Sequence, residues 1–206
     1  MTDDPDLARL ESRSASRLAD LIGRVFDPIG VVVLTLIATC WQATTSPSAA
    51  AGWFLTAAAF MALVPAVVLR LLLRRGHIGE RQVPRRSERY LPYAATMASV
   101  AAGVGVLYAL GAPEKLLQVV GAMLLGIIAM ATLNLATKAS LHSGVLAGAV
   151  VVLGFLVGPA TGVVGVLLWC LVAWARLRAG RHSVGQVLLG GATGAAAPFV
   201  TLWLLR

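Results

Sequence analysis

The chain has 206 residues, of which 58% are hydrophobic, with 17 Lys and Arg against 9 Asp and Glu. A mean hydropathy of +0.83 exceeds what a water-soluble domain needs to fill its core, so the chain reads as an all-α, polytopic transmembrane helical bundle. The net charge of +8 does not point to nucleic acid, because the basic residues separate apolar runs instead of clustering with aromatics on one solvated face. Cys40 and Cys170 each lie inside an apolar stretch and read as small hydrophobes, which leaves redox chemistry without support.

Residues 1–27 form a leader with early acidic residues and no apolar central run, so a cleaved signal is not expected. Leu7, Leu10, Leu18, Leu21, Ile22 and Val25 fall mostly three or four apart, with Arg9, Arg13, Arg17 and Arg24 between them. That pattern predicts an amphipathic helix on an anionic membrane surface, with a solvated leader as the alternative. Residues 28–206 form the membrane domain, with candidate spans at 28–45, 50–73, 91–111, 116–136, 142–157, 160–175 and 183–205. The fifth and sixth are short and are separated by the Gly158-Pro159 turn, so the count is about six to seven. Trp41, Trp53, Trp174 and Trp203 lie near span ends, where interfacial anchors belong, and Trp169 lies deeper.

Basic residues predict orientation. If the N-terminus is cytoplasmic, that side receives the four leader arginines, then Arg70, Arg74, Arg75, Arg81, Arg85, Arg86 and Arg89, then Lys138, and finally Arg176, Arg178 and Arg181. Only Lys115 and Arg206 fall opposite. The expectation is therefore an integral protein of a bacterial-type plasma membrane with a cytoplasmic N-terminus and site.

Outside the leader the carboxylates are Glu80, Glu88 and Glu114, too few for a paired-carboxylate mechanism or a two-metal hydrolase. No metal and no cofactor is expected. All three histidines, His77, His142 and His182, fall in loops assigned to one face, together with most of the non-leader arginines. Ionisable groups at membrane level are costly and suggest function. His77, a single loop histidine, reads as a polar surface residue. His142 and His182 each stand at the mouth of a helix, where free N–H groups and the dipole favour an anion, with Ser143 and Ser183 as expected caps.

The segments Lys138-Ala139-Ser140-Leu141-His142 and Arg176 to Gln186 resemble the second and third motifs of the type 2 phosphatidic acid phosphatases. The third matches best: Arg176, five residues, His182, three residues, and Gln186 where the family has Asp. In the second, Ala139 replaces Pro and Leu141 replaces Gly. In the first, Arg74 and Arg81 keep the Lys-to-Arg spacing, but Gln82 replaces Pro, which widens the candidates to Arg81, Arg86 and Arg89. The resemblance runs from about residue 74 to the C-terminus.

The resemblance implies a metal-independent lipid phosphate or diphosphate phosphatase, acting on a prenyl phosphate, prenyl diphosphate or phosphatidate-like lipid. It assigns His182 as the nucleophile that becomes phosphohistidine and His142 as the general acid. Arg176 belongs with them, and Lys138, Ser140, Arg81, Arg86 and Arg89 are candidate phosphate ligands. Gln186 would orient His182 but, being neutral, would stabilise an imidazolium less than Asp does; Glu80 or Glu88 could fold in to substitute. The alternative on the same bundle is a non-catalytic lipid-phosphate binding or transport protein.

Overall fold

The computed structural model describes residues 5–79, 85 and 87–204, with side chains placed within 15–202. The described residues are helical, without strands, in the order α1 (Pro5–Val25), α2 (Pro28–Ala43), α3 (Pro47–Ala58), α4 (Val64–Arg74), α5 (Tyr90–Ala109), α6 (Glu114–Ala136), α7 (Leu141–Leu156), α8 (Pro159–Arg178) and α9 (Val184–Leu204). Each of the seven expected apolar runs is helical, and the span count meets the expected six to seven only at its lower end. Five helices are long and apolar enough to cross a membrane: Pro47–Arg74, Ser87–Ala109, Glu114–Ala136, Pro159–Arg178 and Val184–Leu202. The pair Ala15–Val25 and Pro28–Ala43, bent by 42°, makes a sixth if it is taken as one span. The expected span at 142–157 is the one lost, because the 16 residues of α7 rise only about 24 Å, short of a hydrocarbon core of about 30 Å.

Leucines and valines cover the outer faces, with Leu34, Leu55, Val163 and Leu167 each about two-thirds exposed. Such an exterior is stable only in lipid, and the chain is an integral membrane protein.

Short α7 sits at the centre, packed on α2, α8 and α9. Glycines permit this closeness. A Cβ at Gly148 would lie 2.9 Å from the Gly194 carbonyl oxygen, and one at Gly194 would overlap the Gly144 carbonyl. Where lipid tails are as apolar as the helices, backbone approach of this kind replaces the hydrophobic drive.

A π-turn at Ala59–Leu63 joins α3 to α4. Val64 N–H reaches back to Ala59 O, and Pro65 has no N–H to offer, so the Phe60 carbonyl lacks a helical partner. The Ser99 hydroxyl of α5 donates to it at 2.6 Å. The bulge is thereby tied to α5, while Pro65, Val68 and Leu69 of α4 face a central cavity.

The loops gather at two ends. At one, Arg89 Nη1 donates to Ala139 O (2.9 Å), Lys138 Nζ to Arg181 O (3.2 Å) and Ser140 N–H to Gln186 O (3.0 Å). The three loops expected on one face therefore meet there. α1 lies at this end too, burying Ala19 and Ile22 against Val172 and Ala175 of α8. Its Leu18, Leu21 and Val25 stay exposed, the apolar face expected to meet the membrane surface.

The glycine contacts generate a stability contrast. Gly194→Val forces α9 off α7 and is expected to cost about 3 kcal/mol or more. Gly121→Ala, where an added Cβ meets nothing within 4 Å, stays within about 1 kcal/mol of the parent. Denaturant unfolding of purified protein in micelles measures both, and equal stabilities would refute the backbone contact.

Candidate functional site

A cavity of about 260 Å³ runs between α2, α4, α5, α6, α7 and α9. Deep in the bundle its walls are apolar, with Val119, Met123 and Val152 among them. At the loop end the walls carry Arg89, His142, Arg176 and His182, together with Asp27. Four of the residues singled out from sequence are thus brought to one place.

Local structure positions each one. α8 ends in a left-handed turn at Gly180 (φ 63°), with Gly180 N–H bonded to Leu177 O (3.0 Å) and Arg181 N–H to Arg176 O (3.2 Å). This is the Schellman closure, and it folds the chain back so that His182 and Arg176 face the same space. α9 then opens with a reciprocal cap. Gln186 N–H donates to Ser183 Oγ (3.4 Å), and Ser183 N–H donates to Gln186 Oε1 (3.2 Å). Ser183 is a cap as expected.

The same Gln186 oxygen lies 3.3 Å from His182 Nδ1. Because this oxygen accepts from a backbone N–H, the proton shared with the ring belongs to Nδ1, and the Nε2 lone pair is left open.

α7 begins at Leu141, one residue before the expected start, and its cap is Ser140, not Ser143. Ser140 is fully buried, and its Oγ accepts from Ser143 N–H at 3.4 Å. The Ser143 hydroxyl instead donates to Val187 O (2.7 Å), and Trp169 Nε1 donates to Ser143 Oγ (3.0 Å). His142, in the first turn, is buried, with Nε2 3.1 Å from the Gly23 carbonyl of α1.

The end of the cavity is crowded with positive charge. Burial first, then Arg89, Arg176 and Lys138, hold the His182 pKa down to about 4, against a weaker upward pull from Gln186. Burial likewise lowers Lys138, as do Arg89, Arg181 and Arg176. Like charges converging in a partly dry site raise one another's energy, and an anion between them relieves it.

Lys138, Ser140 and Gln186 do not line the cavity but stand directly behind it. His77 is exposed and lies apart from it. Arg81 and Arg86, with Glu80, fall outside the described residues. Glu88, expected to be able to fold in beside His182, does not bond to it; it binds Arg85 at 3.1 Å and Gly79 N–H at 3.1 Å. Among the described residues no group of three or more His, Cys, Asp or Glu is placed to hold a metal ion.

Four contributors went unnoticed in the sequence. Tyr93, one turn after Arg89, lines the cavity and hydrogen-bonds it, and that four-residue spacing was a readable signal. Asp27 caps α2 through Ile29 N–H (3.0 Å), as an Asp-Pro helix start suggests. Asp20 lies within electrostatic reach of Arg176. Gly23 carries no sequence signal, since its part is played by a backbone carbonyl.

No family model, curated protein or solved structure matches the chain.

The cause assigned to the His182 shift is testable. Arg89→Gln removes one of the positive charges that add to burial and is expected to raise the His182 titration from about 4 part of the way toward its ordinary value of about 6.5. Histidine-selective 15N NMR follows this directly, and an unmoved midpoint would refute the electrostatic origin.

Proposed function

We propose that the protein is an integral-membrane phosphatase of lipid phosphates or diphosphates, working without a metal and built on a core like that of the type 2 phosphatidic acid phosphatases. One observation carries the reading. Arg89, His142, Arg176 and His182, with Asp27 beside them, converge at the polar end of a cavity whose other walls are mostly apolar, which fits a lipid with an anionic head and a hydrocarbon tail.

In this mechanism Arg89 and Arg176 hold the phosphoryl oxygens, and Lys138 adds charge from behind. His182 Nε2, its lone pair freed by the Nδ1–H bond to Gln186, attacks phosphorus. The N–P bond forms as the bond to the lipid oxygen breaks, and that oxygen takes the Nδ1 proton of His142, whose ring must enter the step as imidazolium. Burial, then Arg176, disfavour that form in the empty site, and the bound phosphoryl anion is the charge that would favour it. Water then attacks the phosphohistidine, His142 takes the water's proton, and inorganic phosphate leaves. With Nε2 of His142 donating to Gly23, Nδ1 is the atom that moves the proton.

The neutral Gln186 favours a second reading, in which the same site binds or carries a lipid phosphate without cleaving it. Gln186→Asp separates the two. A gain in hydrolysis belongs to an enzyme with a weakened orienting group, whereas unchanged binding without turnover belongs to a carrier.

Purified protein is expected to release phosphate from a prenyl phosphate, a prenyl diphosphate or phosphatidate in the presence of EDTA, and His182→Ala to abolish the release. Full activity in that variant would remove His182 as nucleophile. A His182 pKa near 4 keeps the base neutral well below pH 6.

The cationic end is proposed to face the cytoplasm of a bacterial-type plasma membrane. Ser87→Cys, at an exposed position of that end, should react with an impermeant maleimide only after the cells are opened. Labelling of intact cells would invert the orientation.

A further inference from the structure

We infer that Gly23 of the leader helix α1 is a positioning residue of the site: its carbonyl fixes the His142 ring, and its missing side chain makes room for the Arg176 guanidinium. The inference rests on the lipid-phosphate reading above and goes beyond it, because the family resemblance starts near residue 74 and does not reach α1.

The Gly23 carbonyl stands 3.1 Å from His142 Nε2 in a buried setting. A carbonyl oxygen only accepts, so Nε2 must carry the proton. In the neutral ring Nδ1 then holds the lone pair, and in the charged ring Nδ1 holds the transferable proton. One backbone atom from the leader thereby decides which histidine nitrogen is available for chemistry.

The second half of the role is steric. A Cβ at Gly23 would lie 2.9 Å from Arg176 Nη1, so any other residue pushes the guanidinium from where it lies. The guanidinium is the flexible end of its side chain and would yield, and the change would therefore appear as a misplaced cation and not as an unfolded bundle. The helix is fixed in this position independently of Gly23. Ala19 and Ile22 are buried against α8, and Asp27, four residues further on, caps α2 and lines the same cavity.

The experiment uses full-length protein with 15N-labelled histidine in nanodiscs of phosphatidylglycerol and phosphatidylcholine. Wild-type His142 is expected as the neutral Nε2–H tautomer. Gly23→Val, which keeps the backbone carbonyl but displaces the Arg176 guanidinium, is expected to retain that tautomer, shift the ring signals and weaken prenyl phosphate binding. Gly23→Ala, the gentler change, should weaken binding of a prenyl phosphate about tenfold, the loss of one charge-assisted contact. It also keeps the test intact if the valine variant fails to fold. An Nδ1–H tautomer in the wild type overturns the inference. So does a pair of folded variants with unchanged ring signals and unchanged binding. The tautomer needs no turnover, so a wild type that shows it and releases no phosphate would sink the phosphatase reading alone.

Discussion

The backbone contact between α7 and α9 is the constraint from which the site follows. Gly144 and Gly148 on one helix and Gly190 and Gly194 on the other bring the two main chains together, a separation that any β-carbon would widen. Because the helices touch along their first turns, Ser140 N–H can reach Gln186 O, and the loop before each helix is fixed relative to the other. His142 and His182 belong to those two segments. Two residues 40 positions apart in the chain thus share a cavity wall through small-residue packing, without any direct bond between them. The same closeness explains why α7 can be too short to cross a membrane. It is enclosed by α2, α8 and α9, so its ends need not reach the bilayer surfaces on their own.

A bundle that gathers Arg89, Lys138 and Arg176 around His182 pays an electrostatic cost, which adds to burial in depressing the His182 pKa. The nearby carboxylates offset only part of it. Asp20 faces Arg176, while Asp27 is engaged as a helix cap. A site this unbalanced is stabilised by whatever anion enters it, which is the physical content of the phosphate reading. Under the proposed function, the apolar remainder of the cavity would select, among anions, those attached to a hydrocarbon tail.

Much of this architecture was legible in the sequence, and the rest was hidden for definable reasons. The apolar runs located every helix of the membrane domain, since a lipid-facing surface leaves a continuous signal. The motif spacing placed Arg176 and His182 together, because six residues comfortably contain one helix end and one turn. The sequence left the span number between six and seven because hydropathy cannot tell a crossing helix from one enclosed by neighbours, as the run at 142–157 is. Ser140 was expected to face a phosphate and is instead buried as the cap of α7, a distinction that turns on a one-residue shift in helix start. The inward face of the leader was invisible in the sequence: Ala19 and Gly23 are small, and small residues add nothing to an apolar stripe. Its closeness to the site is a tertiary fact.

Gln186 concentrates the remaining chemical question. Its Oε1 serves two donors, Ser183 N–H and His182 Nδ1–H, and an aspartate could serve both in the same geometry while adding charge. The neutral amide therefore costs nothing in orientation and forfeits only the stabilisation of a positive ring. In a pocket already dense with arginine that forfeit is large, because an imidazolium or a phosphohistidine forming there meets unscreened positive neighbours. The bound phosphoryl group is itself the counter-charge that remains. Under the proposed mechanism, the bound substrate would supply the electrostatic help that an aspartate in place of Gln186 would otherwise give.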